Sequence, residues 1–355
     1  MKKKQAVLEC VPNFSHGKAD SILLDIIQSI NKVSGQKLLH VDNNLSANRT
    51  VITFAGNPEA IVHAAFEVIK IASEKIDMRF QHGAHPRIGA IDVFPLVPLY
   101  NISMEDTMKY AEQLAKKVGN VLNIPVYLYE FSAHESYRKS LPQIRKGGYE
   151  GLPVKMKDKK WQPDFGPILN EQTKASIEKT GAMVLGARNI LVAFNISLNT
   201  GDKSIAEKIA RKIRSSGYWK YEPQTNIREF IPGIFPELRA IGWYIDDFET
   251  AQVSMNLLDH KITSPVMVWE TVEKLAHEYG CDALGCEVIG LIPEICILEA
   301  GVRFLYLKNK DVDHGDKDKL IKLGIEYLGL DKVKPFDPQK KVLEYALKNA
   351  GLLLE

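Results

Sequence analysis

The sequence lacks the features that mark secreted, membrane-spanning or nucleic-acid-binding proteins. Its four cysteines form no CxxC pair, which argues against a disulfide framework or a zinc ribbon and predicts reduced, mostly buried thiols. No stretch approaches the roughly 18 apolar residues of a membrane span. The formal charge is only +2, from 46 Lys and Arg against 44 Asp and Glu. The net charge therefore does not favour binding to nucleic acid or to an anionic membrane.

Signals for export and for phosphate binding are absent as well. The lysines after Met1 lead directly into a strand-like segment at 6–11, which is too short and too acidic for a signal peptide. We therefore expect a cytoplasmic location. The chain has no G-x-x-x-x-G-K-[ST] loop, no G-x-G-x-x-G after a strand and no G-x-S-x-G elbow. Nucleotide binding through a glycine-rich phosphate loop and serine-hydrolase chemistry have no support.

The composition that remains is that of a globular protein. Hydrophobic residues make up 45%, charged residues 25% and aromatic residues 8% of the chain, which excludes disordered, collagen-like and coiled-coil classes. A length of 355 residues is more than one hydrophobic core usually serves. The length favours two units of roughly 150 residues or more.

The order of predicted elements occurs twice along the chain. Hydrophobic periodicity and capping residues predict a strand, a helix, two strands and a helix at 6–11, 20–33, 37–42, 48–55 and 57–73. The same order is predicted at 189–197, 200–213, 238–245, 251–257 and 264–280. We therefore predict an α/β (α+β) fold with two related subdomains. Each is expected to be a mainly antiparallel sheet with helices on one face, close to the split βαβ plan.

The predicted boundary between the subdomains places residues 1–182 in the first and 183–355 in the second. The first contains an additional helix from Ser103, a strand at 124–130 and a region rich in Gly and Pro between 147 and 167. Loops of this length are often functional, and the aromatic residues in this one argue against simple disorder. A helical cap from about Ile295 is expected to close the second subdomain.

The densest group of reactive side chains lies at 81–92, with the sequence Gln-His-Gly-Ala-His-Pro-Arg-Ile-Gly-Ala-Ile-Asp. Loop positions held by Pro and Gly suit polar groups that face a ligand. Simple solvation is the alternative for each residue taken alone. The His-x-x-His spacing could suggest a metal, but no neighbouring Cys or Glu completes a ligand set, so no metal site is expected.

A second polar group joins two predicted strands of the first subdomain and comprises Asp42, Asn43, Asn44, Asn48, Arg49 and Thr50. Asp and Asn favour turns, so a polar hairpin connection is one interpretation. Arg49, just inside a strand, could instead bind a carboxylate through its guanidinium fork. Further candidates for an acidic ligand, or else solvated surface charges, are Arg145, Lys146 and Arg188.

Read in order, the motifs resemble those of the glutamate formimidoyltransferase family. The matching segments are 9–15 (ECVPNFS), 40–42 (HVD), 48–51 (NRTV), 85–93 (HPRIGAIDV), 126–129 (VYLY), 163–167 (PDFGP), 186–188 (GAR), 193–196 (AFNI) and 252–258 (QVSMNLL). Because the segments follow one another over nearly the whole chain, the resemblance is more specific than any single motif.

The resemblance implies a folate enzyme of histidine degradation. Such an enzyme moves the formimino group from N-formimidoyl-L-glutamate to N5 of tetrahydrofolate, which is a co-substrate bound in a cleft between the subdomains. The resemblance also implies a homodimer, to which an exposed apolar strand such as 252–258 could contribute. The cyclodeaminase domain fused to vertebrate relatives is not expected in this chain, which ends at Glu355. Ammonia release would then fall to another protein.

The resemblance implies roles for specific residues. The resemblance places the catalytic histidine of the family on His85, the histidine of the His-Pro-Arg segment. Imidazole suits this role because it can accept and return a proton near neutral pH. Asp42 would orient His85 or relay protons for it. We place Asn13 and Asn44 near the reacting carbon. The substrate and the folate tail both carry carboxylates, and we assign Arg49 and Arg87 as anchors for these groups. The folate-binding segment of the family maps to Gly166, Pro167, Ile168, Leu169, Asn170, Glu171, Gln172, Thr173, Lys174 and Ala175.

Two other functions stay open from the sequence. A related folate enzyme would act on 5-formyltetrahydrofolate with the same site. A folate-binding module would bind the cofactor without turnover, which His85 and Asp42 argue against.

Overall fold

A computed structural model of the protein describes residues 5–83, 85–224, 226–311 and 315–353. The chain divides into two compact units, one formed by Met1–Asn189 with Leu347–Glu355 and the other by Ile190–Ala346. Each unit has its own hydrophobic core. The α/β fold with two subdomains predicted from the sequence is thereby confirmed.

The first unit is built on a seven-stranded sheet. Its strands are β1 (Val7–Cys10), β2 (Asn13–Phe14), β3 (Gln36–Asn44), β4 (Arg49–Gly56), β5 (Ile91–Tyr100), β6 (Val126–Leu128) and β7 (Met183–Ala187). Strands β1 and β2 follow one another between β4 and β5, and β3 pairs with β4, all antiparallel. Strand β7 lies parallel to both β5 and β6.

Helices cover both faces of this sheet. Those on one face are α1 (Ser21–Asn31), α2 (Pro58–Lys75) and α3 (Met104–Lys117), and the shorter ones against the other face are α4 (Leu141–Arg145), α5 (Leu152–Lys157) and α6 (Lys174–Thr180). The long helices begin where Asp20, Asn57 and Ser103 accept hydrogen bonds from first-turn N–H groups. The expected helix layer on one face is thus supplemented by three short helices over β5, β6 and β7.

Strand β7 sets the boundary of the first unit. Val184 pairs with Val93 of β5 and with Tyr127 of β6. A division at 182/183, as predicted from the sequence, would separate β7 from both partners. The first unit instead continues to Asn189.

The second unit contains a four-stranded antiparallel sheet and a separate two-stranded hairpin. Its strands are β8 (Val192–Leu198), β9 (Tyr218–Glu222), β10 (Ile227–Ile231), β11 (Leu238–Ile245), β12 (Thr250–Leu257) and β13 (Ala283–Ile289). The helices are α7 (Lys203–Ile213), α8 (Pro265–Glu278), α9 (Glu294–Leu307), α10 (Lys317–Leu328), α11 (Leu330–Val333), α12 (Pro338–Lys341) and α13 (Leu343–Asn349). From Leu347 onward, α13 belongs to the first unit. The order β8-α7-β11-β12-α8-β13, with the sheet order β11-β12-β8-β13, is the split βαβ plan.

One expectation about an exposed strand is wrong. Strand β12, proposed as an apolar contribution to a dimer, lies between β8 and β11, and most of its side chains are buried. Exposed aromatic residues are found instead on the hairpin of β9 and β10, where Trp219, Tyr221 and Phe230 face solvent. The prediction missed this hairpin.

The cysteines are all free and buried, as expected from the sequence. Among the described residues, no helix combines the length and the apolar character needed to cross a membrane.

Candidate functional site

One face of the first sheet is polar where β2, β3 and β4 lie side by side. Val51 of β4 pairs with Asp42 on one side and with Asn13 on the other. Residues directly opposite each other in a sheet project to the same face, so Asp42 and Asn13 share a face. Arg49, paired with Asn44, lies two residues along β4 on that face. We call this surface the polar sheet face.

A β-bulge places Asp92 beside the polar sheet face. Asn13 pairs with Val93 while Phe14 pairs with Ile91, so Asp92 is an extra residue in β5. A bulge redirects a side chain and is common next to active sites. Here it puts a carboxylate in a fully buried position at the start of β5.

Two arginines converge on this carboxylate. Nη1 of Arg49 donates to Oδ2 of Asp92 over 2.7 Å. From α4, Arg145 donates through Nε to Oδ1 over 3.1 Å and through Nη2 to Oδ2 over 2.5 Å. The backbone N–H of Ile88 adds a further hydrogen bond to Oδ1 at 3.1 Å. We refer to these three side chains as the Arg49–Asp92–Arg145 cluster.

Charge and burial fix the ionisation of the cluster. Burial alone would raise the pKa of Asp92, but Arg145 and Arg49 outweigh it and hold the pKa below its usual value of 3.8. Burial lowers the pKa of Arg49 to about 10, against the opposing effect of Asp92. Asp92 is therefore negatively charged and Arg49 positively charged at neutral pH. The guanidinium of Arg145 adds a second positive charge.

His85 lies in the field of the cluster. Burial of the imidazole and the charges of Arg49 and Arg145 lower the pKa of His85 well below 6.5. Nδ1 of His85 is 2.8 Å from the carbonyl oxygen of Pro86. Since a carbonyl oxygen only accepts, Nδ1 carries the proton, and the lone pair is on Nε2. His85 is thus a neutral imidazole with a defined tautomer.

Backbone and side-chain hydrogen bonds anchor the C-terminal end of the loop that carries His85. Gly89 forms an antiparallel bridge with Gly181, and the N–H of Ala90 donates to the carbonyl of Thr180 over 2.8 Å. The hydroxyl of Ser15 donates to the carbonyl of Gly89 over 2.7 Å. These contacts fix the position of the loop relative to β2 and α6.

Arg87 connects the His85 loop to the Gly-rich region. Its Nη2 donates to the carbonyl of Gln81 over 2.7 Å and to Oε1 of Glu150 over 2.8 Å. The guanidinium lies 6.0 Å from the centre of the Tyr149 ring. Its Nε is buried and has no hydrogen-bond partner among the described residues.

A cavity of about 410 Å³ lies next to the Arg87–Glu150 pair and is lined by Tyr149, Glu150, Leu152, Pro153, Lys157, Leu169, Asn170, Glu171, Lys174, Ile177 and Glu178. Four lining residues, Leu169, Asn170, Glu171 and Lys174, belong to the predicted folate segment 166–175. The other members of that segment are not part of the lining. The structure therefore brings part of the predicted folate segment close to Arg87.

The remaining predicted site residues have defined contacts. Asn13 accepts a hydrogen bond from Nε of Arg49 at 3.1 Å, so it orients that guanidinium. Asn44 accepts from the N–H of Ala47 at 2.6 Å in the turn between β3 and β4. Oδ2 of Asp42 lies 3.6 Å from Nε2 of His40, and both side chains are mostly buried.

The sequence assigned no role to Asp92, although it lies within the reactive segment 81–92. Its partner Arg145 was only one of several candidate cations. The two residues are 53 positions apart, so no local motif links them. The described residues contain no group of three or more His, Cys, Asp or Glu side chains that could hold a metal ion.

The fold and the site together define a two-subdomain α/β protein with a neutral histidine next to a buried cationic cluster. The family profile described as "Formiminotransferase domain, N-terminal subdomain" matches residues 7–188, and the profile described as "Formiminotransferase domain" matches residues 193–348. The chain belongs to the formiminotransferase family, which confirms the resemblance seen in the sequence.

Named relatives agree with this membership. The chain is 37% identical to a glutamate formimidoyltransferase of Streptococcus pyogenes serotype M1, over 87% of this chain and 95% of the relative. It is 36% identical to a glutamate formimidoyltransferase of Thermoplasma acidophilum, over 86% and 94%. A formimidoyltransferase-cyclodeaminase of Dictyostelium discoideum is 39% identical over 96% of this chain, and the match spans 60% of that longer relative.

Proposed function

We propose that the protein is a glutamate formimidoyltransferase that transfers the formimino group of N-formimidoyl-L-glutamate to N5 of tetrahydrofolate. The observation that carries the proposal is the neutral His85 beside the Arg49–Asp92–Arg145 cluster. A base that is neutral at physiological pH and lies next to positive charge suits proton transfer with a carboxylate-bearing substrate. The family membership and the relatives named glutamate formimidoyltransferase support the same activity.

His85 moves protons in the proposed reaction. The N5 amine attacks the formimino carbon, a C–N bond forms, and the C=N double bond becomes single in a tetrahedral intermediate. Nε2 of His85 removes the proton from N5 and then delivers it to the departing glutamate nitrogen. The bond from carbon to that nitrogen breaks and the C=N bond re-forms, which yields 5-formimidoyltetrahydrofolate and glutamate. The hydrogen bond from Nδ1 to Pro86 fixes the tautomer in which Nε2 carries the lone pair that accepts the proton.

Residues of the polar sheet face have supporting roles in this proposal. Asp42 orients His85 or relays protons for it. The Asp42 side chain is mostly buried and lies 3.6 Å from Nε2 of His40. Asn13 acts on the reacting centre by holding Arg49. Asn44 supports the site by closing the turn that leads into Arg49.

The carboxylates are assigned to two arginines, and the folate is assigned to the segment 166–175. Arg49 and Arg87 serve as carboxylate anchors. The segment 166–175 contributes to folate binding through the 410 Å³ cavity, whose apolar walls suit an aminobenzoyl group. Two lysines, Lys157 and Lys174, and three glutamates, Glu150, Glu171 and Glu178, also line the cavity. Tetrahydrofolate is a co-substrate, and no metal is required.

We also propose a homodimer in the cytoplasm, with neither nucleic acid nor membrane as partner. The free thiols of the four cysteines support a reducing compartment. The family resemblance supports the dimer. Sedimentation velocity at micromolar concentration should give a dimer mass, and a monomer under these conditions would contradict the proposal.

The decisive experiment measures transfer in the purified protein. N-formimidoyl-L-glutamate and tetrahydrofolate are incubated with the wild type, His85→Ala and Asp42→Asn, and free glutamate and 5-formimidoyltetrahydrofolate are followed. His63→Ala is the matched control, because His63 is an exposed histidine on α2. We expect His85→Ala to lower kcat by about 10²- to 10⁴-fold with folate binding retained, and the control to keep wild-type activity.

A parallel reaction with 5-formyltetrahydrofolate separates the alternatives. If the wild type consumes only 5-formyltetrahydrofolate, the proposed donor is wrong and the protein is a related folate enzyme. If the wild type binds tetrahydrofolate but turns over neither compound, it is a folate-binding module.

A further inference from the structure

The Arg49–Asp92–Arg145 cluster carries an excess positive charge in a mostly buried position. Asp92 is 0% exposed and Arg49 is 8% exposed. One carboxylate cannot neutralise two guanidinium groups, and His85 contributes no negative charge. Because buried charges are costly unless they are paired, the cluster is suited to receive an anion.

The cluster also has unused hydrogen-bond donors. Arg49 uses Nε on Asn13 and Nη1 on Asp92. Arg145 uses Nε and Nη2 on Asp92. Within the part of the chain that the structure describes, Nη2 of Arg49 and Nη1 of Arg145 have no hydrogen-bond partner, and neither is buried away from solvent. Asp92 holds both guanidinium groups, so their two remaining N–H₂ groups can donate to the two oxygens of a second carboxylate.

We propose that Arg49 and Arg145 together bind the α-carboxylate of N-formimidoyl-L-glutamate, with Asp92 as the positioning residue that holds both guanidinium groups. This inference rests on the proposed function and deepens it. It adds Arg145 to the substrate-binding residues and gives Arg49 a definite ligand group.

The chemistry of the two substrates favours the amino-acid donor over the folate tail. In N-formimidoyl-L-glutamate, the α-carboxylate is attached to the carbon that bears the formimino-carrying nitrogen. An anchor for this carboxylate must therefore lie close to the proton-transferring histidine. In tetrahydrofolate, the carboxylates lie beyond the aminobenzoyl group, far from N5. The cluster meets the first requirement, since the charges of Arg49 and Arg145 both act on His85.

Calorimetric titration with two unreactive ligands tests this assignment. N-acetyl-L-glutamate has the skeleton of the donor, and 4-acetamidobutyrate is the same molecule without the α-carboxylate. We expect the wild type to prefer N-acetyl-L-glutamate. Arg145→Gln should weaken binding of N-acetyl-L-glutamate by about tenfold or more and leave the affinity for 4-acetamidobutyrate unchanged. Arg211→Gln is the matched control, because Arg211 is exposed on α7, and it should bind both ligands like the wild type.

Opposite results overturn the inference. It fails if the wild type does not prefer N-acetyl-L-glutamate, or if Arg145→Gln weakens both ligands equally or neither. Arg145→Lys serves if circular dichroism shows that Arg145→Gln does not fold. Lysine keeps the charge but cannot reproduce the planar fork, so affinity for N-acetyl-L-glutamate should fall by about threefold or more. Full wild-type affinity in Arg145→Lys would also overturn the inference.

The transfer assay run on the same preparations separates this inference from the proposed function. If the wild type transfers the formimino group but binding does not depend on Arg145, the carboxylate assignment alone is wrong. If the wild type shows no transfer but binds N-acetyl-L-glutamate through Arg145, the anion site stands and the proposed reaction fails.

Discussion

Gly89 and Gly181 pair as an antiparallel bridge in which neither residue has space for a side chain. A Cβ on Gly181 would lie 2.5 Å from Cα of Gly89 and also against the carbonyl oxygen of Ile88. Gly181 has φ 67° and ψ −150°, a conformation that essentially only glycine adopts. This contact fastens the loop of His85 to the end of α6.

Gly181→Ala should therefore affect both stability and catalysis. The backbone has to shift to accommodate the methyl group, and His85 shifts with it. We expect loss of more than about 2 kcal/mol of unfolding free energy and a tenfold to hundredfold loss of kcat/KM, measured by urea denaturation and the transfer assay. Gly280→Ala is the control, because Gly280 has φ +77° with nothing within 4 Å of its Cβ position. It should cost roughly 1–2 kcal/mol from strain alone and leave kcat/KM unchanged. Equal losses in the two variants would contradict the close contact.

Asp92→Asn should strongly destabilise the protein. The substitution leaves Arg49 and Arg145 buried without a compensating charge. Removal of one partner from a buried ion pair costs about 3–5 kcal/mol, so the urea midpoint should fall clearly below that of the wild type. Glu112→Gln makes the same chemical change at an exposed position on α3 and should stay within about 0.5 kcal/mol. A wild-type midpoint for Asp92→Asn would show that the cluster does not stabilise the fold.

The pH dependence of the transfer activity should reflect the positive charges near His85. His85 must be neutral to accept a proton, and its pKa lies well below 6.5. Activity should persist as the pH falls through 6.5 and decline only at lower pH. Arg145→Gln removes a nearby positive charge, which raises the pKa of His85 and moves the decline in kcat/KM to higher pH. A pH profile for Arg145→Gln that coincides with the wild type would contradict this electrostatic coupling.

Lys155 should make stability depend on alkaline pH. Burial, together with the charge of Lys146, lowers the pKa of Lys155 from 10.5 to about 8. Its Nζ donates to the carbonyls of Gln143 and Ile144, next to Arg145. The unfolded chain keeps the proton up to about pH 10.5, whereas the folded protein releases it near pH 8. Burial of the charged form is thus unfavourable below pH 8, and this penalty disappears as the pH rises.

The measurement compares thermal unfolding of the wild type and Lys155→Met between about pH 7 and pH 10. The wild type should gain stability relative to Lys155→Met over this interval. Lys139→Met, at an exposed lysine, should show a constant difference from the wild type. A constant difference for Lys155→Met as well would rule out the lowered pKa.

Parts of the fold with local signals could be predicted. The helix predicted from Asn57-Pro58 is α2, which begins at Pro58 with Asn57 as its cap, and the strand predicted at 238–245 is β11. Strand β5 was missed because it contains Pro95 and Pro98, and proline is untypical of a strand with neighbours on both sides. The carbonyl of Pro95 still accepts a hydrogen bond from the N–H of Val11, so the proline ring removes only the N–H donor of this residue from the sheet.

The site was only partly predictable for a related reason. The residues of a short motif, such as His85 and Arg87, can be named from the sequence. The position of Asp92 depends on a bulge that exists only when β2 pairs with β5. Its contact with Arg145 depends in turn on the packing of α4, which lies in a region with no clear periodicity.

The buried cysteines make the protein convenient for site-specific labelling. Cys10, Cys286 and Cys296 are 0% exposed, and Cys281 is 7% exposed. Burial raises the pKa of all four thiols, and the thiolate is the form that reacts with maleimides. The folded wild type therefore offers almost no background to a thiol-reactive dye. A single cysteine introduced at the exposed position of His82 would place a fluorophore beside the His85 loop without removal of any native thiol.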